Sequence, residues 1–161
     1  MKYPLTVLAV AFAALTFAVS TGNAEDDKPK PKKEVTTTTC PIAGKEIKIA
    51  DAKVVEYKKA KVYVCCDDCK AKMEKDAAPF AAKANQQLVQ TKQFRQTKCP
   101  LTGGPIDKEQ KVKVGSTMVR FCCGKCQGKV AEAKDDEQRD LVFNDKSFEQ
   151  GFKAVKVKKA E

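Results

Sequence analysis

Not one histidine occurs in the sequence. That removes the commonest general base and the commonest side-chain ligand for zinc and copper(II). Any metal site must therefore be built from thiolates, with carboxylates or backbone as supplements. Tryptophan is also missing, and aromatic residues make up only 7% of the chain. Units of about 60 residues with so thin a core ordinarily need a disulfide, a metal or a partner as a staple. Lys and Arg number 31 against 21 Asp and Glu, for a formal charge of +10. No Arg-rich cluster or interleaved aromatic platform accompanies that charge, so it reads as a solvated surface and argues against a nucleic-acid partner. No Lys-Ser/Thr follows Gly103-Gly104-Pro105, which reads as a turn and not a phosphate loop. With no paired acid/base signature, the only candidate nucleophiles are cysteines, and an enzyme is not expected. A redox Cys-x-x-Cys would sit in a βαβ pattern, and none is visible.

Residues 1–24 read as a secretory signal peptide. Lys2 gives the positive start, Leu5 to Val19 is apolar, and Gly22-Asn23-Ala24 offers small residues before a cut at Glu25. The run is short for a membrane span and a polar, cleavable flank follows it, so cleavage is favoured over a retained anchor. No cysteine follows the run to carry a lipid. The mature protein is expected to be periplasmic or extracellular, with no stable membrane insertion. Residues 25–39, with Asp26, Asp27, Lys28, Lys30, Lys32 and Lys33 around Pro29 and Pro31, then Thr36 to Thr39, read as a flexible leader.

What is present is one pattern written twice. Val62-Tyr63-Val64-Cys65-Cys66-Asp67-Asp68-Cys69 returns as Val119-Arg120-Phe121-Cys122-Cys123-Gly124-Lys125-Cys126. A lone Cys-Pro precedes each copy, at Cys40-Pro41-Ile42-Ala43-Gly44 and Cys99-Pro100-Leu101-Thr102-Gly103. All 8 cysteines are thereby used, four per copy. The copies are offset by 59 at the first cysteine (40 to 99) and by 57 at the others (65 to 122), so a two-residue indel lies before the hairpin. This is an internal duplication, with a first unit at 40–96 and a second at 97–158.

Period-2 patterns at Val55, Tyr57, Val62 and Val64 flank Lys58-Lys59-Ala60-Lys61 and predict a hairpin. Val112, Val114, Val119 and Phe121 repeat it around Gly115-Ser116. Ile47 and Ile49 suggest a short strand. Met73 and Ala77 predict a helix that ends before Pro79, and Phe80, Ala84 and Leu88 mark one face of a second. Val130, Ala133 and Lys134 continue a helix after Cys126, and Phe148 and Phe152 form a later helical pair. Tyr57 and Tyr63 read as packing residues. The fold class is α+β: two tandem small units, each a β-hairpin with one or two helices around a four-cysteine site.

Cysteines where a strand meets a helix start sit on one turn, and the helix N-terminus favours the thiolate. A further cysteine on an upstream loop can fold back against them. Three or four converging thiolates suit zinc or copper(I). Asp67-Asp68 can supply a carboxylate, but acids at a helix start follow from the dipole alone, and Gly124-Lys125 stands there in the second copy. Export and an even cysteine count leave a second possibility, a disulfide-stabilised module that binds another exported protein or an acidic polymer.

Cys-Pro-x-x-Gly, a strand ending in cysteine, and a further Cys opening a helix resemble the YHS and TRASH-type metal-binding domains. Val54-Val55-Glu56-Tyr57-Lys58 followed by Val62-Tyr63-Val64-Cys65 is similar to that family's hairpin, and Phe80, after Asp76 and Pro79, to its closing aromatic. The resemblance implies treble-clef-like units in heavy-metal sensing, trafficking or resistance, with Cys40, Cys65 and Cys69, and Cys99, Cys122 and Cys126, as ligands. Two departures stand out: the Tyr-His-Ser signature is absent, and Cys66 and Cys123 follow the strand cysteines. Either can be a fourth ligand, a free thiol or half of a disulfide. The function expected is exported binding of zinc or copper(I), one thiolate site per repeat.

Overall fold

The computed structural model describes residues 35–156. The expected signal peptide, most of the leader, and residues 157 and 158 of the second unit lie outside them. Among the described residues no helix is long and apolar enough to cross a membrane.

Alternating residues build the first hairpin, β3 (Lys53–Tyr57) with β4 (Ala60–Val64), in register Val55 to Val62 and Tyr57 to Ala60. The two-residue turn is Lys58-Lys59, with φ of +51° and +61°. Consecutive positive φ values match the twist of a tight hairpin, although lysine reaches them less readily than glycine. Tertiary contacts hold the turn. Lys58 Nζ lies 2.8 Å from Asp145 and 3.3 Å from Glu149, and Tyr57 donates to Asp145 at 3.1 Å. Tyr57 thus has a polar partner as well as its packing.

A short strand pair precedes that hairpin. β1 (Thr37–Thr39) pairs with β2 (Glu46–Lys48) around the Cys40 loop. The threonines expected to end a flexible leader are therefore ordered, because β2 gives their backbone partners. Ile49 belongs to a 3₁₀ turn (Ile49–Asp51) and not to a strand.

After the cysteines, α1 (Asp67–Lys75) stops before Ala77, since Asp76 turns extended and its carboxylate accepts from Ala78 N–H at 3.0 Å. A 3₁₀ turn (Ala78–Phe80) leads into α2 (Ala81–Gln90), which buries Ala84 and Leu88 as expected, whereas Phe80 ends the turn before the helix and is half-buried. The chain then forms β5 (Phe94–Gln96).

The second hairpin is β6 (Asp107–Val114) with β7 (Thr117–Phe121), irregular between Asp107 and Lys111. Gly115 turns it at φ +56°. A Cβ there would stand 2.9 Å from the Gln86 amide nitrogen, which donates to Val114 O at 2.8 Å. Helix α3 (Gly124–Glu132) ends before Ala133 and Lys134. A new helix, α4 (Asp135–Phe143), starts there because Asp135, Asp136 and Glu137 suit a helix N-terminus. It is followed by α5 (Asp145–Gly151), capped by Asn144 accepting from Ser147 N–H at 2.9 Å. Phe148 is helical, but Phe152 opens β8 (Phe152–Ala154), which pairs antiparallel with β5.

The architecture is α+β, with two cysteine-bearing hairpin units on one shared core. Val55, Val62, Val64, Ala84 and Leu88 from the first repeat join Val114, Val119, Phe121, Val130, Phe143 and Phe148 from the second. Phe148 stacks on Phe152 at 5.2 Å and meets Phe94 at 4.9 Å.

Side-chain amides close the free edges of both hairpins. Gln93 accepts from Lys61 N–H (2.8 Å) and donates to Lys61 O (2.6 Å). Gln87 does the same for Tyr63, and Gln96 for Arg120. Each amide stands in for a neighbouring strand, satisfying polar groups and blocking edge-to-edge pairing.

Candidate metal centres

Each centre starts from a tight loop. Cys40 N–H donates to Lys45 O (2.8 Å), and Gly44 N–H to Cys40 O (2.9 Å). In the second copy Cys99 N–H donates to Gly104 O (2.9 Å), and Gly103 N–H to Cys99 O (2.8 Å). Gly44 and Gly103 take φ of +69° and +72°, as the loop demands. The loop cysteine points inward and is fully buried in both copies. The strand then delivers Cys65 or Cys122, and the first turn of the helix delivers Cys69 or Cys126.

In each repeat the three sulfurs lie within 4.8 Å of one another. Cys65 and Cys69 are 3.6 Å apart, Cys122 and Cys126 3.7 Å. A tetrahedral ion with metal–sulfur bonds near 2.3 Å spaces its sulfurs by about 3.8 Å, whereas a disulfide holds them at about 2.05 Å. All eight cysteines are free thiols. Each trio can hold a metal ion.

Cys66 and Cys123 fall outside these trios. Each is the N-cap of its helix and sits 3.7 Å from the preceding cysteine's sulfur. Cys66 is half-buried and Cys123 exposed. Asp67 and Asp68 are exposed at the first rim, and Asp67 pairs with Lys53 at 3.4 Å.

The thiols of a trio are electrostatically unequal. Burial pushes Cys99 up, but the Thr102 hydroxyl and the backbone N–H groups of Cys122, Leu101 and Thr102 outweigh it and hold the thiol down to about 7. Cys40 is likewise lowered: burial raises it, and the N–H groups of Ala43, Ile42 and Cys65 outweigh that effect. Burial, with hydrogen bonds to the neighbouring cysteines, pushes Cys69 and Cys126 up to about 12. The backbone N–H of Cys69 pulls Cys66 down, and that of Cys126 pulls Cys123 down. Each trio thus pairs a loop cysteine disposed to be thiolate with a helix cysteine that keeps its proton until something positive replaces it.

Residues outside the cysteine pattern fix these positions. The buried Gln87 amide donates to Thr39 O (2.9 Å), one residue before Cys40, and to Tyr63 O (2.7 Å), two before Cys65. In the second repeat, the Gln150 amide oxygen accepts from the backbone N–H of Gly103 (2.7 Å) and Thr102 (3.0 Å). Thr102 Oγ1 lies 3.2 Å from Cys122 Sγ, where the first repeat has Ala43. A Cβ on Gly151 would lie 2.8 Å from Pro100 Cα, so that glycine lets α5 close on the second loop. Aligning the two Cys-Pro loops reveals Thr102. Adjacent Gln86-Gln87 within an apolar helix face was the available signal for the amide clamp.

No family model, curated protein or solved structure matches the chain.

Proposed function

We propose that the chain is an exported, non-enzymatic metal-binding protein that takes one zinc or copper(I) ion per repeat. The observation carrying this reading is the convergence of three cysteines from three separate elements, built the same way twice. Two buried sulfurs and one half-buried sulfur in each trio, with no histidine in the chain, favour soft or borderline ions over hard ones. The trios are also the ligand sets implied by the likeness to YHS and TRASH-type domains, which supports a role in metal storage, delivery or sensing. Export rests on the signal-like residues 1–24.

The test is an intact mass of the exported protein with thiol alkylation. The reading expects a chain beginning at Glu25 whose trio cysteines become alkylatable only after chelation. A chain about 8 Da lighter than the reduced form, holding no metal, would mean four disulfides and would refute it.

A further inference from the structure

We propose that Cys66 and Cys123 are exchange thiols, through which an ion held by each trio passes to a thiol-bearing acceptor. This rests on the metal-binding reading and deepens it. Within each trio the loop and helix sulfurs are buried, Cys40 and Cys99 at 0% exposure and Cys69 and Cys126 at 7% and 8%. Only Cys65 and Cys122 reach the surface in part. An acceptor therefore meets a bound ion from their side. Cys66 and Cys123 stand on that side, 3.7 Å from the half-buried sulfur and outside the trio. The same placement recurs in both repeats, although the next two residues change from Asp67-Asp68 to Gly124-Lys125.

Exchange proceeds one sulfur at a time. The Cys66 thiol releases its proton to water as its sulfur bonds the ion. The metal–sulfur bond to Cys69 then breaks, and that sulfur takes up one proton. The ion is now held transiently and more weakly by Cys40, Cys65 and Cys66, with its open side toward the surface. An acceptor's thiolates replace these three sulfurs one at a time, Cys40 last, each departing sulfur taking up one proton. The oxidation state of the metal does not change. Cys123 acts in the same way on Cys122 and Cys126.

Cys66→Ser, Cys123→Ser and the double variant test this on the full mature chain. Serine is a preferred N-cap, so both helices keep their start. Each protein is loaded with zinc, and separately with copper(I). Affinity is measured by chelator competition, and metal loss to excess dithiothreitol by timed native mass spectra. The double variant is expected to keep its affinity within about threefold while losing metal about tenfold more slowly. Unchanged loss rates would overturn the proposal. So would an affinity drop of about a hundredfold, which would make the two cysteines standing ligands. If the wild type takes up neither ion, the metal-binding reading itself fails, a result separate from either.

Discussion

Replacing Gln87 with leucine removes a buried amide and little volume. Three hydrogen bonds go with it: one from Tyr63 N–H, and one each to Tyr63 O and Thr39 O. At about 1 kcal/mol net apiece the loss is about 3 kcal/mol, because the extra apolar burial of leucine is offset by backbone groups left without partners. That is about a hundredfold in the folding equilibrium, and about 10 °C in Tm for a unit of this size. The effect should also be local. Gln87 joins the strand entering Cys40 to the strand entering Cys65, so the first site should lose about tenfold in metal affinity while the second keeps its own. Differential scanning fluorimetry and site-resolved metal competition read the two effects. A variant with wild-type Tm and equal affinities at both sites would refute the claim that this amide positions the first centre.

Three further outcomes follow from the geometry. Gly151→Ala places a methyl 2.8 Å from Pro100 Cα. It should cost about 1–3 kcal/mol by denaturant unfolding and weaken the second site selectively. The Asp145 carboxyl is held below the ordinary aspartate range: burial alone would raise it, but Lys58, Asn85 and Tyr57 outweigh that. A depressed carboxylate contributes stability above its unfolded pKa and loses it as pH falls through the folded value. Unfolding free energy should therefore decline below about pH 4, and less so in Asp145→Asn. Metal uptake should weaken toward acid, because the ion must displace the protons that Cys69 and Cys126 retain. Competition titrations at pH 6 and pH 8 (about a hundredfold range in proton activity) check this, and a flat affinity would contradict it.

The local features were legible because local chemistry fixes them. Strand alternation located both hairpins, and cysteine spacing located both strand-to-helix junctions. What the sequence concealed is mostly long-range. Thr37–Thr39 reads as leader until β2 offers its backbone. Phe152 follows Phe148 at helical spacing, yet β5, far away in sequence, draws it into a strand. Helix α4 has a weak apolar face (Val142 and Phe143 at its end) behind three acids, so periodicity does not announce it. The short link between the units already implied that they pack together, but the contacts that join them were hidden. Gln86 reaches Val114 O and Asn85 reaches Phe143 O, both at 2.8 Å, through polar side chains that composition places on a surface.

If each repeat holds one ion with its own three cysteines, as the two trios can, removing one helix cysteine should cost one ion. Native mass spectrometry of the metal-loaded wild type, Cys69→Ser, Cys126→Ser and the double variant tests it most directly. Two ions, one, one and none are predicted. Loss of both ions in either single variant would mean one shared cluster, and two ions in the double variant would place the metal elsewhere.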